Sequence, residues 1–321
     1  MSVARLAASL LLLAACGTNA TPPADADAGT DAGKPRVSPA LFDCTSLANG
    51  LPPRRAATTP ECLRDPSCKT RLVSGHRGAG GQLGRIAPED TLAAYRAAVV
   101  IGLDLVETDP RPTSDGVLVN MHDTTVDRTT NGTGEVAAMT FDAIRKLSIK
   151  TDLPGDYACE KVPTLKELLE TSRGRALVLV DANKTDRVDL LVAAIRDANA
   201  LDWAVFDTSS VDKIDQALAL EPKLLIMPRV TTGAEATSVL AHFASHPPVF
   251  VEIDESVFPA AVAEIHAGGS RTFTDAFGTD LSVKFGGDRA AYLDLYGKGA
   301  DVLQTDLPDE VLLALGRPVP P

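Results

Sequence analysis

Leu103-Asp104-Leu105-Val106-Glu107-Thr108-Asp109 is a strand-like stretch in which apolar residues give way to carboxylates at every second position. Side chains on a strand alternate faces, so Leu103, Leu105, Glu107 and Asp109 share one face, apolar where it begins and acidic where it ends. The pattern recurs at Leu72, Ser74 and His76, at Leu118, Asn120 and His122, and at Leu177, Leu179 and Asp181. Strand-like runs occupy 71–74, 103–109, 117–121, 176–181, 204–207, 224–228, 249–253, 271–274 and 301–305. Amphipathic helical patterns at 89–101, 164–171, 187–198, 211–220, 234–243 and 260–266 fill most of the gaps. Such alternation implies parallel strands with crossover helices, and over about 250 residues it predicts a single-domain (β/α)8 TIM barrel of the α/β class. A barrel needs one run fewer than these, so one is expected outside it, and the excursion 131–162 is too long for a simple loop. An open doubly wound sheet is the alternative, but no GxGxxG fingerprint follows any strand.

The 321 residues carry 31 Lys+Arg against 43 Asp+Glu, a formal net charge of −12. That balance excludes a nucleic-acid sheath, which needs clustered cations to neutralise phosphates. An apolar fraction of 45% excludes a disordered chain. Residues 1–15 read as a bacterial lipoprotein signal: Arg5 precedes an apolar run at 6–15, shorter than the roughly 20 residues of a spanning helix. The run ends in Leu13-Ala14-Ala15-Cys16, which resembles a lipobox, with cleavage before Cys16 and lipidation of that residue. A plain secretory signal is the alternative. Gly17, in place of Asp, favours the outer membrane, so the expected location is the cell envelope, lipid-anchored and facing the periplasm. Residues 16–40 form the lipidated cysteine and a flexible, disordered linker rich in Ala, Asp, Gly, Pro and Thr, which reaches roughly 25–30 Å. A cysteine-containing extension, 41–70, leads into the barrel at 71–321. Cys44, Cys62, Cys68 and Cys159 are expected to form two disulfides among three pairings, in preference to a zinc site.

In a barrel the shared face is the interior, and the C-terminal rim is where active sites are built. Any one strand-end Asp can simply cap the next helix, but the coincidence of several argues for a shared site. Glu107, Asp109 and Asp181 suit a hard divalent cation, Mg2+ or Ca2+, bound through oxygen, leaving His76 and His122 free for proton transfer. Arg77 offers a planar fork for phosphate oxygens. Cleavage of a small phosphodiester is what this set can perform.

These residues also carry a resemblance. His76-Arg77-Gly78, Pro88-Glu89-Asp90-Thr91, Glu107-Thr108-Asp109, His122-Asp123, Asp127-Arg128-Thr129-Thr130-Asn131-Gly132-Thr133-Gly134 and Thr305-Asp306-Leu307-Pro308 resemble the ordered motifs of the glycerophosphodiester phosphodiesterase family. The resemblance is dense over 71–136 and returns at Pro163-Thr164-Leu165 and near the C-terminus. It implies a TIM barrel and metal-dependent hydrolysis of glycerophosphodiesters to an alcohol and glycerol 3-phosphate. It further implies His76 and His122 as the acid/base pair, Glu107 and Asp109 as metal ligands, and Arg77 and Glu89 on the substrate side. A substrate hydroxyl attacking phosphorus, with water later opening a cyclic phosphate, fits two histidines exchanging roles.

There are departures. The family reads Glu-x-Lys where this chain has Asp181-Ala182-Asn183-Lys184; Asp181 is kept as the third ligand. Lys184 is kept as substrate-binding through its flexible stem, although a one-residue slip along a strand turns a side chain to the opposite face. Asp90 stands for the usual Asn, and Thr272-Phe273-Thr274-Asp275 is the nearest stretch to a missing Trp-Thr-Val-Asn segment. Two rivals remain: a phospholipase D- or C-type enzyme acting on intact lipids, and a catalytically degenerate binding lipoprotein. A monomer is expected. His242 and His246, spaced i, i+4, are read as a solvated helix face, His266 has no partner legible in the sequence, Asn131-Gly132-Thr133 is read as part of a site loop, and Gly286-Gly287-Asp288 and Gly297-Lys298-Gly299 as turns.

Overall fold

The structure, a computed structural model, describes residues 36–50, 53, 54, 61, 62, 65, 67–258 and 260–321. The signal at 1–15, Cys16 and most of the linker lie outside the described residues. Parallel strands β1 (Leu72–Gly75), β2 (Leu105–Thr108), β5 (Leu177–Asp181), β6 (Ala204–Thr208), β7 (Leu225–Val230), β8 (Phe250–Ile253), β9 (Arg271–Asp275) and β10 (Val302–Thr305) close into a barrel in that order, β10 pairing back onto β1. Helices cover it outside, and their starts are where side-chain oxygens satisfy free backbone N–H groups. Thr91 accepts from Ala94 N–H and Ser210 from Lys213 N–H, while Thr164 and Thr232 form capping boxes with Glu167 and Glu235.

The surplus run is 117–121. It forms β4 (Leu118–Asn120), which pairs antiparallel with β3 (Pro110–Pro112) outside the barrel. Pro110 and Pro112 lack the N–H that a barrel ladder requires on both sides, so the chain leaves the barrel after Asp109. His122 therefore reaches the rim from this hairpin and not from a barrel strand, and Leu118 packs in the outer core. Leu103 likewise precedes β2 and packs outside. The long excursion has its own small core of Val119, Met121, Val126, Val136, Ile144 and Val162, with short helices Val136–Ala138 and Phe141–Arg145.

Inside the barrel, Leu72, Leu105, Leu177, Leu179, Val205, Met227, Phe250, Phe273 and Val302 form one apolar cluster. Two positions further along each strand stands a polar residue: Ser74, Glu107, Asp181, Asp207, Arg229, Glu252, Asp275 and Gln304. Strand alternation points these into the same lumen, so the apolar plug is capped by a polar ring on the C-terminal side. At the opposite end the fully buried Arg271 donates to the carbonyls of Cys62 and Thr70, so the extension closes that face.

Residues 36–40, assigned from sequence to the linker, belong to the folded unit. Val37 and Phe42 are buried, and Arg36 pairs with Asp309 and Glu310. The extension is stitched to the excursion and to the helix Leu92–Ile101. Asp43 accepts from the N–H groups of Thr45 and Asp156, and Arg96 bridges the Phe42 carbonyl and Glu160. The disulfides are Cys44–Cys159 and Cys62–Cys68, so the first cross-links positions 115 apart and the second only 6. The histidines set aside are used locally: His242 meets Asp215, His246 the Leu224 carbonyl, and His266 Asp301. No described helix is long and apolar enough to cross a membrane.

Constraint of the unfolded chain grows with loop length, so the two disulfides should differ in worth. We expect Cys44→Ser combined with Cys159→Ser to cost about 2–4 kcal/mol in urea unfolding, and the Cys62/Cys68 pair of substitutions clearly less. Equal costs would show that Cys44–Cys159 is not what holds the extension to the excursion.

Candidate active site and metal centre

The site begins where β1 ends. Gly75 closes the strand, His76 and Arg77 turn over the rim, and the turn is tight: Arg77 sits at φ 54° and Gly78 at φ 78°. A Cβ on Gly78 would meet Ala94 at 2.9 Å. Asp90 is also left-handed, at φ 55°, so two non-glycine residues beside one another hold strained backbone at the rim. The turn brings the Arg77 N–H onto Glu107 Oε2 at 3.0 Å and the Arg77 guanidinium onto Glu89 Oε1 at 2.9 Å. The guanidinium Nε also lies 3.4 Å from Asp109 Oδ2.

Glu107, Asp109 and Asp181 converge as read from sequence. Each offers an oxygen within 4.8 Å of the others, and all three are buried. Asp181 Oδ1 accepts the Asn183 N–H at 2.8 Å, which fixes the carboxylate. Lys184 joins them, 3.1 Å from Asp109 Oδ1 and 3.5 Å from Asp181 Oδ2. The inversion of face expected for Lys184 does not occur, because β5 ends at Asp181 and a 3-10 turn, Ala182–Lys184, replaces strand alternation. The shorter Asp181 and the shifted lysine thus leave the cluster complete.

Burial, reinforced by Asp109, Asp90 and Asp181, pushes the Glu107 carboxyl well above its usual value. Burial and the charges of Asp109 and Glu89 do the same to Asp90. Burial also opposes ionisation of Asp109, but Lys184 and Arg77 outweigh it and hold that carboxyl below its usual value. Asp109 Oδ2 is buried and accepts no hydrogen bond. A cluster of oxygens this close, with one orphaned lone pair and a Glu107 carboxyl whose ionisation its acidic neighbours oppose, fits a hard divalent cation.

The histidines are held by carboxylates. Asp306 Oδ1 accepts from His76 Nδ1 at 2.7 Å, and the imidazole also stacks against Phe277 at 4.8 Å. Asp306 is itself fixed by its N–H to Asp280 Oδ2, and its close approach requires Gly81, where a Cβ would lie 2.2 Å from Asp306 Oδ1. His122 Nδ1 meets Asp123 Oδ1 at 3.0 Å, and Arg111 fixes the His122 carbonyl. Burial lowers the His122 pKa in spite of the Asp123 contact, so neutral imidazole prevails at neutral pH. Arg128 donates to both Glu89 and Asp123, tying the loop that carries His122 to the Glu89 side of the rim.

Sequence reading missed Asp306, Arg128 and the far half of the ring. Asp306 and Arg128 stood in quoted motifs without a role. Arg229 donates to Asp207 and lies 3.2 Å from Glu252 and 3.6 Å from Asp181, so it neutralises the carboxylates of β5, β6 and β8 together. Burial still pushes the Asp207 carboxyl up to about 6. The same alternation that exposed Glu107 would have found these, by reading two positions past Met227, Phe250 and Phe273. Two clefts open at the rim. One, of about 310 Å3, is lined by Gly80, Arg85, Glu89, Arg128 and Lys150; the other, of about 350 Å3, by Asn183, Arg229, Glu252, Thr274 and Asp275.

The chain is 50% identical over 113 residues to glycerophosphodiester phosphodiesterase 1 of Homo sapiens, a stretch covering 32% of this chain and 33% of that protein. The match thus spans about a third of the human relative's length. Among solved structures, a glycerophosphodiester phosphodiesterase from Agrobacterium tumefaciens aligns with TM-score 0.61 and 28% identity over 75% of this chain and 98% of its own. A glycerophosphoryl diester phosphodiesterase from Parabacteroides distasonis shares the fold, with TM-score 0.68 at 21% identity over 83% and 95%. The glycerophosphoryl diester phosphodiesterase family matches residues 76–309, from His76 just after β1 to the helix after β10, and to that family the chain belongs.

Proposed function

We propose that this protein hydrolyses glycerophosphodiesters to an alcohol and glycerol 3-phosphate, using a divalent cation held by Glu107, Asp109 and Asp181. The observation that carries this reading is the buried convergence of those three carboxylates on Lys184 and Arg77 at the barrel rim. A bound Mg2+ or Ca2+ supplies charge neutralisation at the phosphoryl oxygens. Arg77 and Lys184 face the same carboxylates and orient the phosphate beside them. His122, neutral at neutral pH, is suited to accept the proton of an attacking hydroxyl. His76, with Nδ1 committed to Asp306, presents Nε2 to protonate the leaving oxygen. The roles then reverse when water completes hydrolysis. Glu89 acts through Arg77 and Arg128, setting the position of both.

The same reading includes lipid attachment at Cys16 in the cell envelope, facing the periplasm and with the outer membrane favoured. Its support is the apolar run at 6–15 with Leu13-Ala14-Ala15-Cys16.

The test is release of glycerol 3-phosphate from glycerophosphocholine and glycerophosphoethanolamine by the full chain, in EDTA and after adding back Mg2+ or Ca2+. We expect metal-dependent release that falls about 10²–10⁴-fold in His76→Ala and in His122→Ala. Release that survives EDTA, or that survives both substitutions, would sink the mechanism.

Glu107 gives a second check that needs no turnover. Its raised pKa means that the metal-free folded chain binds a proton more tightly there than the unfolded chain does. Its stabilising contribution is therefore complete at acid pH and is lost as pH rises through the raised value. A cation replaces that proton, so Mg2+ or Ca2+ should raise Tm more at pH 8 than at pH 5, and Glu107→Gln should flatten the difference. A metal-induced shift independent of pH would place the ion elsewhere.

A further inference from the structure

We propose that the catalytic rim seats on a lipid surface through the helix Phe277–Lys284 and the turn after it, Phe285 being the residue that enters the acyl layer. Phe285 is 81% exposed and Leu281, one helical turn earlier, 50%; these are the highest values for large apolar side chains among the described residues. Phe277, Leu281 and Phe285 recur at four-residue spacing and so run along one side of the helix. The stripe starts at the site, where Phe277 packs on His76, and ends in solvent. A single exposed apolar side chain needs no explanation, but a continuous apolar stripe that begins at the site and ends in solvent is the kind of surface that meets a lipid or a partner.

The helix lies across the rim. Asp280, buried beneath it, accepts from Tyr292 OH at 2.7 Å, Thr305 Oγ1 at 2.6 Å and the Asp306 N–H at 2.7 Å. The turn is fixed as well. Phe285 and Gly287 donate their N–H groups to the Ser282 carbonyl, and Gly286 donates to Val283. Gly286 sits at φ 95°, and a Cβ on Gly287 would lie 2.9 Å from the Ser282 carbonyl oxygen. Phe285 therefore projects from a built support.

What covers this surface follows from where the chain joins the barrel. Arg289, just past the turn, lies 3.2 Å from Glu310, and Glu310 also takes Arg36 at 2.8 Å. Arg36, the first described residue, is thus held by the carboxylate that secures the Phe285 turn, and the sequence before it carries the apolar run at 6–15 and the Cys16 assigned above to a lipid anchor. Arg36 and the exposed aromatic side chain share one rim. Lys284 beside Phe285 is a cation at the level of lipid phosphates. A second protein is a poor occupant: Phe and Leu side chains of at most about 250 Å2 each fall far short of the roughly 800 Å2 per partner of a stable interface. Insertion of a Phe and a Leu suits a fluid surface, where no matching partner is needed.

The consequence for substrate rests on the phosphodiesterase reading above. A glycerophosphodiester carrying one acyl chain would keep that chain in the lipid and pass its phosphate along the Phe277 stripe to His76.

The test uses the full chain reconstituted on phosphatidylcholine vesicles, with Phe285→Trp as the probe. The parent has a single Trp, Trp203, half-buried with Nε1 bonded to the Leu169 carbonyl, and it serves as the control. The variant's emission should shift to the blue on vesicles and be quenched by acyl-brominated phosphatidylcholine, while the parent's stays unchanged. Leu281→Ser with Phe285→Ser should lower turnover of vesicle-borne monoacyl glycerophosphocholine by about tenfold. Turnover of free glycerophosphocholine should hold within about twofold, which also certifies folding. An unshifted, unquenched spectrum with soluble turnover intact overturns the docking and leaves the phosphodiesterase reading standing. A blue shift that grows with protein concentration without lipid overturns it in favour of self-association. Quenching with neither substrate cleaved keeps the docking and removes the phosphodiesterase reading.

Discussion

Carboxylates crowded into one buried rim repel one another, and the barrel holds them only because three cations are wedged between them. Arg77 faces Glu89 and Asp109, Lys184 faces Asp109 and Asp181, and Arg229 faces Asp181, Asp207 and Glu252. Even so, burial leaves Glu107 and Glu252 well above their usual pKa values, so the compensation is incomplete. A pair of charges buried with partial compensation costs stability that a hydrophobic core would not. On the Glu107 side the uncompensated carboxylates lie close enough together to hold a metal ion.

Onto the polar ring of the barrel strands the rim adds residues from segments outside the barrel. The hairpin after Asp109 delivers His122, the loop that follows it delivers Arg128, and the turn after β1 delivers Arg77 in a left-handed conformation. Each needs support from outside the sheet. Cys44–Cys159 and Arg96, which bridges the Phe42 carbonyl and Glu160, hold the N-terminal extension against the excursion, and Asp280 holds Asp306 behind His76. The extension therefore bears on the catalytic loops although none of its residues touches the carboxylate cluster among the described contacts.

Much of this was legible in the chain. Alternation along residues 103–109 and 177–181 placed Glu107, Asp109 and Asp181 together correctly, because strand geometry is a local rule that tertiary context does not alter. The same rule misplaced Leu118–Asn120, since a hairpin strand and a barrel strand have one periodicity and differ only in their partners. It also counted against Lys184, which was kept at the site only through its flexible stem, because the point at which β5 yields to a 3-10 turn depends on Asp181 capping the Asn183 N–H. The linker boundary was set too far along for a comparable reason: Val37 is a lone apolar residue in a polar stretch, and only the folded body supplies its pocket.

By itself the sequence determined the alternation of strands and helices, the acidic end of the barrel and the three carboxylates that converge there, since each depends on spacing along one segment. The tertiary structure decided which cysteines pair, which run stays outside the barrel, how Arg229 bridges three strands, and that Phe285 stands exposed beside the point where the chain joins the rim. Those depend on distances between segments far apart in the chain, which close only when the barrel does.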